Sequence, residues 1–324
     1  MPPPSYDSVF LSGGAGFLGS HFIRRLLGRA DVRRVVIFDN FSSGKESHLS
    51  GLRRDKRLEV VAGDLKEKEA VVAAMRGCEL VIHLAANPDI AKAVDQPDID
   101  FWEGTFLAQN VLEAMRITGA RRMLYTSGSG VYGENAEVAF SESYGPCVPI
   151  STYGASKLAC EALISAYCHM FGMTCRAFRF ANVVGPRQTH GVGYDFVRRL
   201  RADPSHLRIL GDGSQSKSYI HVDDVLDAVL AADGSGDRKY DIFNVATGDY
   251  ITVREIADIA VRVSGLDPRS VRYDFTGGDR GWKGDVPVVR FDCSKIHGLG
   301  WRSRRTSAEA VRDAMAAMLA EFSG

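Results

Sequence analysis

VFLSGGAGFLGS, residues 9–20, passes from an apolar, β-rich run into the first turn of a helical pattern. Gly13, Gly16 and Gly19 fall at GxxGxxG spacing across that junction. Glycine there permits a tight turn and lets backbone N–H groups at the helix start approach a pyrophosphate. The next β-rich run ends at Asp39, 20 residues after Gly19. A carboxylate at that point accepts the hydroxyls of an adenosine ribose. It also repels a 2′-phosphate and so favours NAD, while Lys45 in the following FSSGK loop leaves NADP open.

Moving outward, β-rich runs at Val9–Ser12, Val35–Phe38, Leu58–Ala62, Leu80–Leu84, Met123–Thr126 and Cys175–Phe180 alternate with helix-length segments such as Phe17–Arg29 and Thr105–Thr118. Several are continuously apolar, as strands of a parallel sheet covered on both faces must be. The alternation predicts an α/β chain with a Rossmann-type doubly wound parallel sheet. Residues 1–183 form the expected dinucleotide-binding domain, rejoined by about 218–247, because YIHV can return to the same sheet. After Gly185 the composition shifts to Gly, Pro and charge, with helices expected from Asp223 and over Val253–Ser264. Residues 184–324 are expected to form a smaller C-terminal α/β lobe with long functional loops.

Asp64, after the third run, is placed for the adenine amine, and the small residues of HLAA end the fourth run where a flat cofactor can lie. The candidate cofactor contacts are Gly13, Gly16, Phe17, Leu18, Asp39, Asn40, Ser42, Ser43, Gly44, Asp64, Leu65, Leu84, Ala85, Ala86 and Ser127, joined by Tyr153 and Lys157. His83, inside the fourth run, reads as a core histidine.

The 40 Lys and Arg balance the 40 Asp and Glu, so no net field draws the chain to nucleic acid or an anionic membrane. No apolar stretch is long enough to span a bilayer, and the start MPPPSYD lacks the pattern of a signal peptide. Six cysteines without CxxC or zinc spacing imply reduced thiols, no metal and a cytoplasmic location.

In STYGASKLACEAL, Tyr153 and Lys157 are four apart on an expected helix and share a face. An ammonium beside a phenol favours the phenolate, whose ordinary pKa is about 10. Such a tyrosine accepts a proton from an alcohol as hydride leaves the adjoining carbon, and the same lysine can hold the nicotinamide ribose.

With these residues in place, the chain resembles an extended short-chain dehydrogenase/reductase of the NAD-dependent epimerase/dehydratase family, and within it the UDP-glucose 4-epimerase-like members. The likeness runs through GGAGFLGS, DNFSSGK, GDL, HLAAN, VYGE, YGASKLACE, RFANVVGPR, GDGSQSKSYIHVDD and GDRGWKGDVP. It implies a bound NAD, a nucleotide-sugar substrate (a UDP-sugar foremost) held by the 184–324 lobe, and a homodimer paired through helices near Thr105–Thr118 and Tyr153–Phe171. It further implies that Asn182 hydrogen-bonds the diphosphate region, that Lys217 and Arg280 neutralise the diphosphate, and that Asp285 binds the nucleoside ribose.

Two positions depart from the family pattern. Gly128 stands where a Ser or Thr holds the reacting hydroxyl, and Gly104, in FWEGTFLAQN, stands where an Asn sits on a helix behind the site. Ser127 or Ser129 can supply the hydroxyl, with Ser129 taken as the catalytic candidate beside Tyr153 and Lys157. Alternatively, the glycines enlarge the pocket for an unusual substrate, or the protein binds its ligands and catalyses poorly. Ser129 and Gly130 also occupy the place of the acidic residue that dehydratases and decarboxylases of the family carry. The expected reaction is therefore 4-epimerisation through a 4-keto sugar. A nucleotide-sugar or nucleoside dehydrogenase or dehydratase, and an NAD-binding protein with weakened catalysis, are the alternatives.

Overall fold

The computed structural model describes residues 5–323. The strand Ser8–Ser12 (β1) is buried throughout, because it lies inside a sheet whose two faces are covered by helices. It is followed by Arg34–Asp39 (β2), Leu58–Ala62 (β3), Leu80–His83 (β4), Arg122–Gly128 (β5) and Thr174–Phe180 (β6). Further along come Asn182–Val184 (β7), His206–Ile209 (β8), Ser216–Lys217 (β9), Tyr219–His221 (β10) and Tyr240–Val245 (β11). Seven of these form one sheet in the order β11-β6-β5-β4-β1-β2-β3. β1 pairs in parallel with both β2 and β4, and β2–β3 and β4–β5 are parallel too. The six strands expected from the sequence are present, each within two residues of its expected ends.

The chain leaves β1 toward β2 and β3, then crosses back to β4. That reversal opens a crevice beyond the carboxyl ends of β1 and β4, where ligands of doubly wound folds bind. The crossover helices include Phe17–Leu27 (α1), Lys68–Met75 (α2), Phe106–Thr118 (α3) and Thr152–Phe171 (α4). Val71, Val111, Leu112 and Ile164 of α2, α3 and α4 bury against Phe10, Val36, Val81 and Met123 of the strands. Each such side chain contributes about 1.5–3 kcal/mol by leaving water.

The chain divides into two compact units. The first holds residues up to Val131, Thr152–Arg179 and Val229–Phe243. The second holds Tyr132–Ser151, Phe180–Ala228 and residues from Asn244 onward. In the first unit Tyr6 lies between the guanidinium groups of Arg29 and Arg122, 5.0 and 5.2 Å from its ring centre, and donates to Asp233.

In the second unit β7 pairs with β10, and β8 pairs with the strand Arg272–Phe275. The helices Val192–Ala202 (α5) and Val253–Val263 (α7) belong to it, Val222–Ala232 (α6) runs across its boundary at Ala228, and residues of α5 and α7 form a core with the helix Ser307–Ser323. The segment 132–151, expected with the dinucleotide domain, belongs here for a physical reason. Tyr132 stacks on Phe140 at 4.6 Å and meets Phe291 edge-on. The fully buried Asn244 accepts from the Tyr132 hydroxyl at 2.6 Å and donates to the Phe140 carbonyl at 2.8 Å. Among the described residues, no helix is long and apolar enough to cross a membrane, and all six cysteines are free thiols.

Candidate active site

The loop between β1 and α1 is built for close approach. Gly13 has φ +70°, and a Cβ there would lie 2.9 Å from the Ala85 nitrogen. At Gly19 a Cβ would lie 2.5 Å from the carbonyl oxygens of Gly13 and Gly14, so the helix can pack on the loop only without one. The N-terminus of α1 at Gly16 carries no side-chain cap, and its first turn has no acidic residue. The amides of Phe17 and Leu18 stand at the positive end of α1, as a pyrophosphate requires. The donor set and the side-chain-free cradle therefore fit a dinucleotide.

Asp39, the expected ribose acceptor, is buried and holds this cradle together. One carboxylate oxygen accepts from the Ala15 amide and the other from the Phe41 amide, both at 2.8 Å. Burial raises its pKa, against the pull of those two amides. Each carboxylate oxygen has a second acceptor site, so a ribose hydroxyl can still be bound. Gly44 packs beside it, where a Cβ would lie 2.8 Å from an Asp39 oxygen. Asn40 accepts from the Ser42 amide and donates to Asp64, which also accepts from the Lys66 amide. Leu65 is buried, Ser43 is exposed, and Leu84, Ala85 and Ala86 follow β4 half-buried. The Leu84 amide bonds Ser12 across the reversal between β1 and β4.

His83 is a core histidine, bonded to the Ser12 hydroxyl at 2.6 Å. Burial, and next the Lys157 ammonium, holds its pKa down to about 3, so the ring stays neutral.

Lys157 on α4 is 6% exposed and donates to the Thr126 carbonyl at 2.8 Å, which carries it to the end of β5. Its ammonium lies 5.5 Å from the ring centre of Tyr153, on the neighbouring turn of the helix. Tyr153 is half-buried. The expected pair is thus brought together.

The two serines that flank Gly128 have different surroundings. Ser127 is buried and donates at 2.6 Å to Glu161, whose carboxylate also receives two bonds from Arg179 at 3.0 and 2.6 Å. Its hydroxyl is therefore committed to a buried ion pair, which weighs against it as the reacting hydroxyl. Ser129 is half-buried and opens a short 3₁₀ turn, Ser129–Val131. That turn packs on the first turn of α4, where a Cβ at Gly130 would lie 3.4 Å from the Gly154 Cα. Around Gly128 a Cβ would meet nothing within 4 Å.

In the second unit the expected diphosphate cations are already paired. Lys217 donates to Asp285, the expected ribose acceptor, so these two form an ion pair. Arg280 makes a two-pronged bond to Glu134 at 2.9 and 3.0 Å and a third to the Asp285 carbonyl. Asn182 is exposed and donates to the Ser218 carbonyl at 3.3 Å. Lys217, Asp285 and Arg280 thus form one cluster with Glu134. Sequence reasoning missed Glu134, although VYGE ends on it, and missed Glu161, four residues after Lys157 on the same helix.

Known proteins match this arrangement along almost the whole chain. The profile of the NAD-dependent epimerase/dehydratase family matches residues 9–246. A UDP-glucose 4-epimerase of Mycolicibacterium smegmatis is 35% identical over 313 residues, covering 94% of this chain and 96% of that protein. A crystal structure of a UDP-galactose 4-epimerase superposes with a TM-score of 0.84 at 36% identity, covering 97% of this chain and 99% of the other. A dTDP-glucose 4,6-dehydratase from Streptomyces venezuelae, solved with NAD bound, gives a TM-score of 0.87 at 27% identity and covers 98% of each chain. The chain belongs to the NAD-dependent epimerase/dehydratase family.

Proposed function

We propose that the chain is an NAD-dependent nucleotide-sugar 4-epimerase acting on a UDP-sugar. The observation that carries the chemistry is Lys157, buried and held by the Thr126 carbonyl, with its ammonium 5.5 Å from the Tyr153 ring centre. When bound, NAD supplies the acceptor that takes hydride from C4 of the sugar and gives it back. Tyr153 removes the proton from the C4 hydroxyl and returns it after the 4-keto sugar has turned over. Ser129 donates a hydrogen bond to the reacting oxygen, replacing the hydroxyl absent at Gly128. Asn182, Lys217, Arg280 and Asp285 bind the nucleotide diphosphate by exchanging their present partners for it.

Epimerisation is favoured over elimination because neither Ser129 nor Gly130 carries the carboxylate that a dehydratase would need there. The relatives named as UDP-glucose and UDP-galactose 4-epimerases support the same choice. We also propose a homodimer in a reducing cytoplasm. Its support is the exposed apolar surface at Phe101, Trp102, Ile117 and Met170, beside or on α3 and α4, and the six free thiols.

The test is incubation with NAD and a panel of nucleotide sugars, followed by NMR of the sugar protons and by absorbance at 340 nm. A C4 epimer with no net cofactor reduction is expected. Net reduction or an unsaturated sugar would make the chain a dehydrogenase or dehydratase. Ser129→Ala should then lower kcat on the order of 10²–10³-fold, the effect of removing one preorganised donor. Ser127→Ala producing that loss instead would reverse the assignment of the hydroxyl.

A further inference from the structure

Gly104 lies in a five-residue π turn, Phe101–Thr105, that leads into α3. Such single-turn bulges are rare inside α-helices, and contacts from outside the turn can brace them. Here the contacts come from α4. The Ser156 hydroxyl donates to the Asp100 carbonyl at 2.7 Å and bonds the Thr105 hydroxyl at 2.9 Å. The Thr152 hydroxyl donates to the Asp100 carboxylate at 2.7 Å, whose other oxygen receives the Asn87 amide at 2.8 Å. Asp100 is 1% exposed. A Cβ at Gly104 would lie 2.3 Å from the Ser156 oxygen, so the hydroxyl occupies the space that a side chain at 104 would need.

The spacing along α4 gives this clamp its meaning. Thr152 and Ser156 are four apart and form one stripe of the helix, and Tyr153 and Lys157 form the next. Each member of the reacting pair directly follows a clamped residue. Fixing the first stripe sets the rotation and axial position of the second, because successive residues on a helix are about 100° apart.

We infer that Ser156 is a positioning residue for Tyr153 and Lys157, bracing the π turn through the space that Gly104 leaves open. This rests on the reading that Tyr153 and Lys157 act on NAD and sugar. The experiment is a double-mutant cycle of Gly104→Ala and Ser156→Ala, with NAD affinity from fluorescence quenching and kcat and KM from the epimerase assay. Each single change displaces or removes the same hydroxyl. Each should lower kcat about ten-fold and weaken NAD about three-fold, with KM for the nucleotide sugar within two-fold. The double variant should match Ser156→Ala alone. Thr152→Val, which keeps its shape and loses one clamp bond, should lower kcat about three-fold. Unchanged kcat and NAD affinity in Ser156→Ala, or losses that multiply in the double variant, would overturn the inference. A wild-type protein that turns over no nucleotide sugar would end the epimerase reading instead. The NAD-affinity cycle, which needs no turnover, would then decide the clamp.

Discussion

The polar groups around Tyr153 and those around Arg280 are organised on opposite principles. In the first unit they are buried: Lys157 is 6% exposed, and the side chains of Glu161 and Arg179 are 4% exposed each. Lys157 is anchored to the Thr126 carbonyl and Glu161 to the Ser127 hydroxyl, both on β5. In the second unit the Arg280 and Glu134 side chains are 32% and 38% exposed, and they bind each other. Charges in water attract weakly and exchange partners readily, whereas a buried charge that loses its partner is costly. The difference separates two tasks. On the proposed function, the first region would keep the reacting groups in fixed geometry, and the second would hold cations that a diphosphate can claim.

The largest way to test that division is Tyr153→Phe, which removes the proposed proton acceptor and leaves the Lys157 bond to Thr126 in place. It should lower kcat about 10³-fold with NAD affinity retained, and a loss under ten-fold in steady-state assays would remove Tyr153 from the chemistry. Glu161→Gln strips the buried Arg179 of its countercharge, and urea titration should show about 3 kcal/mol of lost stability. A loss below 1 kcal/mol would mean that this region is as forgiving as the second.

Arg280→Ala should raise KM about ten-fold with kcat nearly unchanged, and the difference should shrink in 0.5 M salt, where exposed charges are screened. An equal fall in kcat, insensitive to salt, would place Arg280 with the rigid groups. The smallest effect is a pH dependence. His83 is held neutral in the fold, with its pKa lowered from 6.5 to about 3. The unfolded chain therefore takes up a proton that the folded chain refuses below about pH 6.5. Stability falls as pH drops through that window, by up to about 1.4 kcal/mol per unit from this residue. Urea titrations at pH 6.5 and 5.5 should show a shallower fall in His83→Asn, and identical slopes would contradict a neutral buried ring.

Much of this architecture is legible along the chain because its signals are local. The glycines of residues 13–19, the carboxylate at Asp39 and the Tyr153–Lys157 spacing are each set by one turn or one helix. Continuous apolar runs mark β1, β2 and β4 for the same reason. What the sequence hides is pairing at a distance. Ser127 and Glu161 are 34 residues apart, and Arg280 and Glu134 are 146 apart, so nothing local announces either bond. Segment 132–151 was expected in the dinucleotide domain, because the residues that draw it into the second unit, Asn244 and Phe291, come a hundred or more residues later. Gly104 reads as a flaw in a helix until Ser156 is seen in its space.

The Glu161 carboxylate also has a consequence in time. It joins β5 through Ser127, β6 through Arg179 and α4 through its own backbone, so opening any one of these elements breaks a buried bond to another. Their amides should exchange with deuterium only when the first unit unfolds as a whole, while the exposed loop around Asp279 exchanges through brief local openings. Opening the helix that carries Tyr153 and Lys157 therefore costs a buried ion pair as well as its own hydrogen bonds.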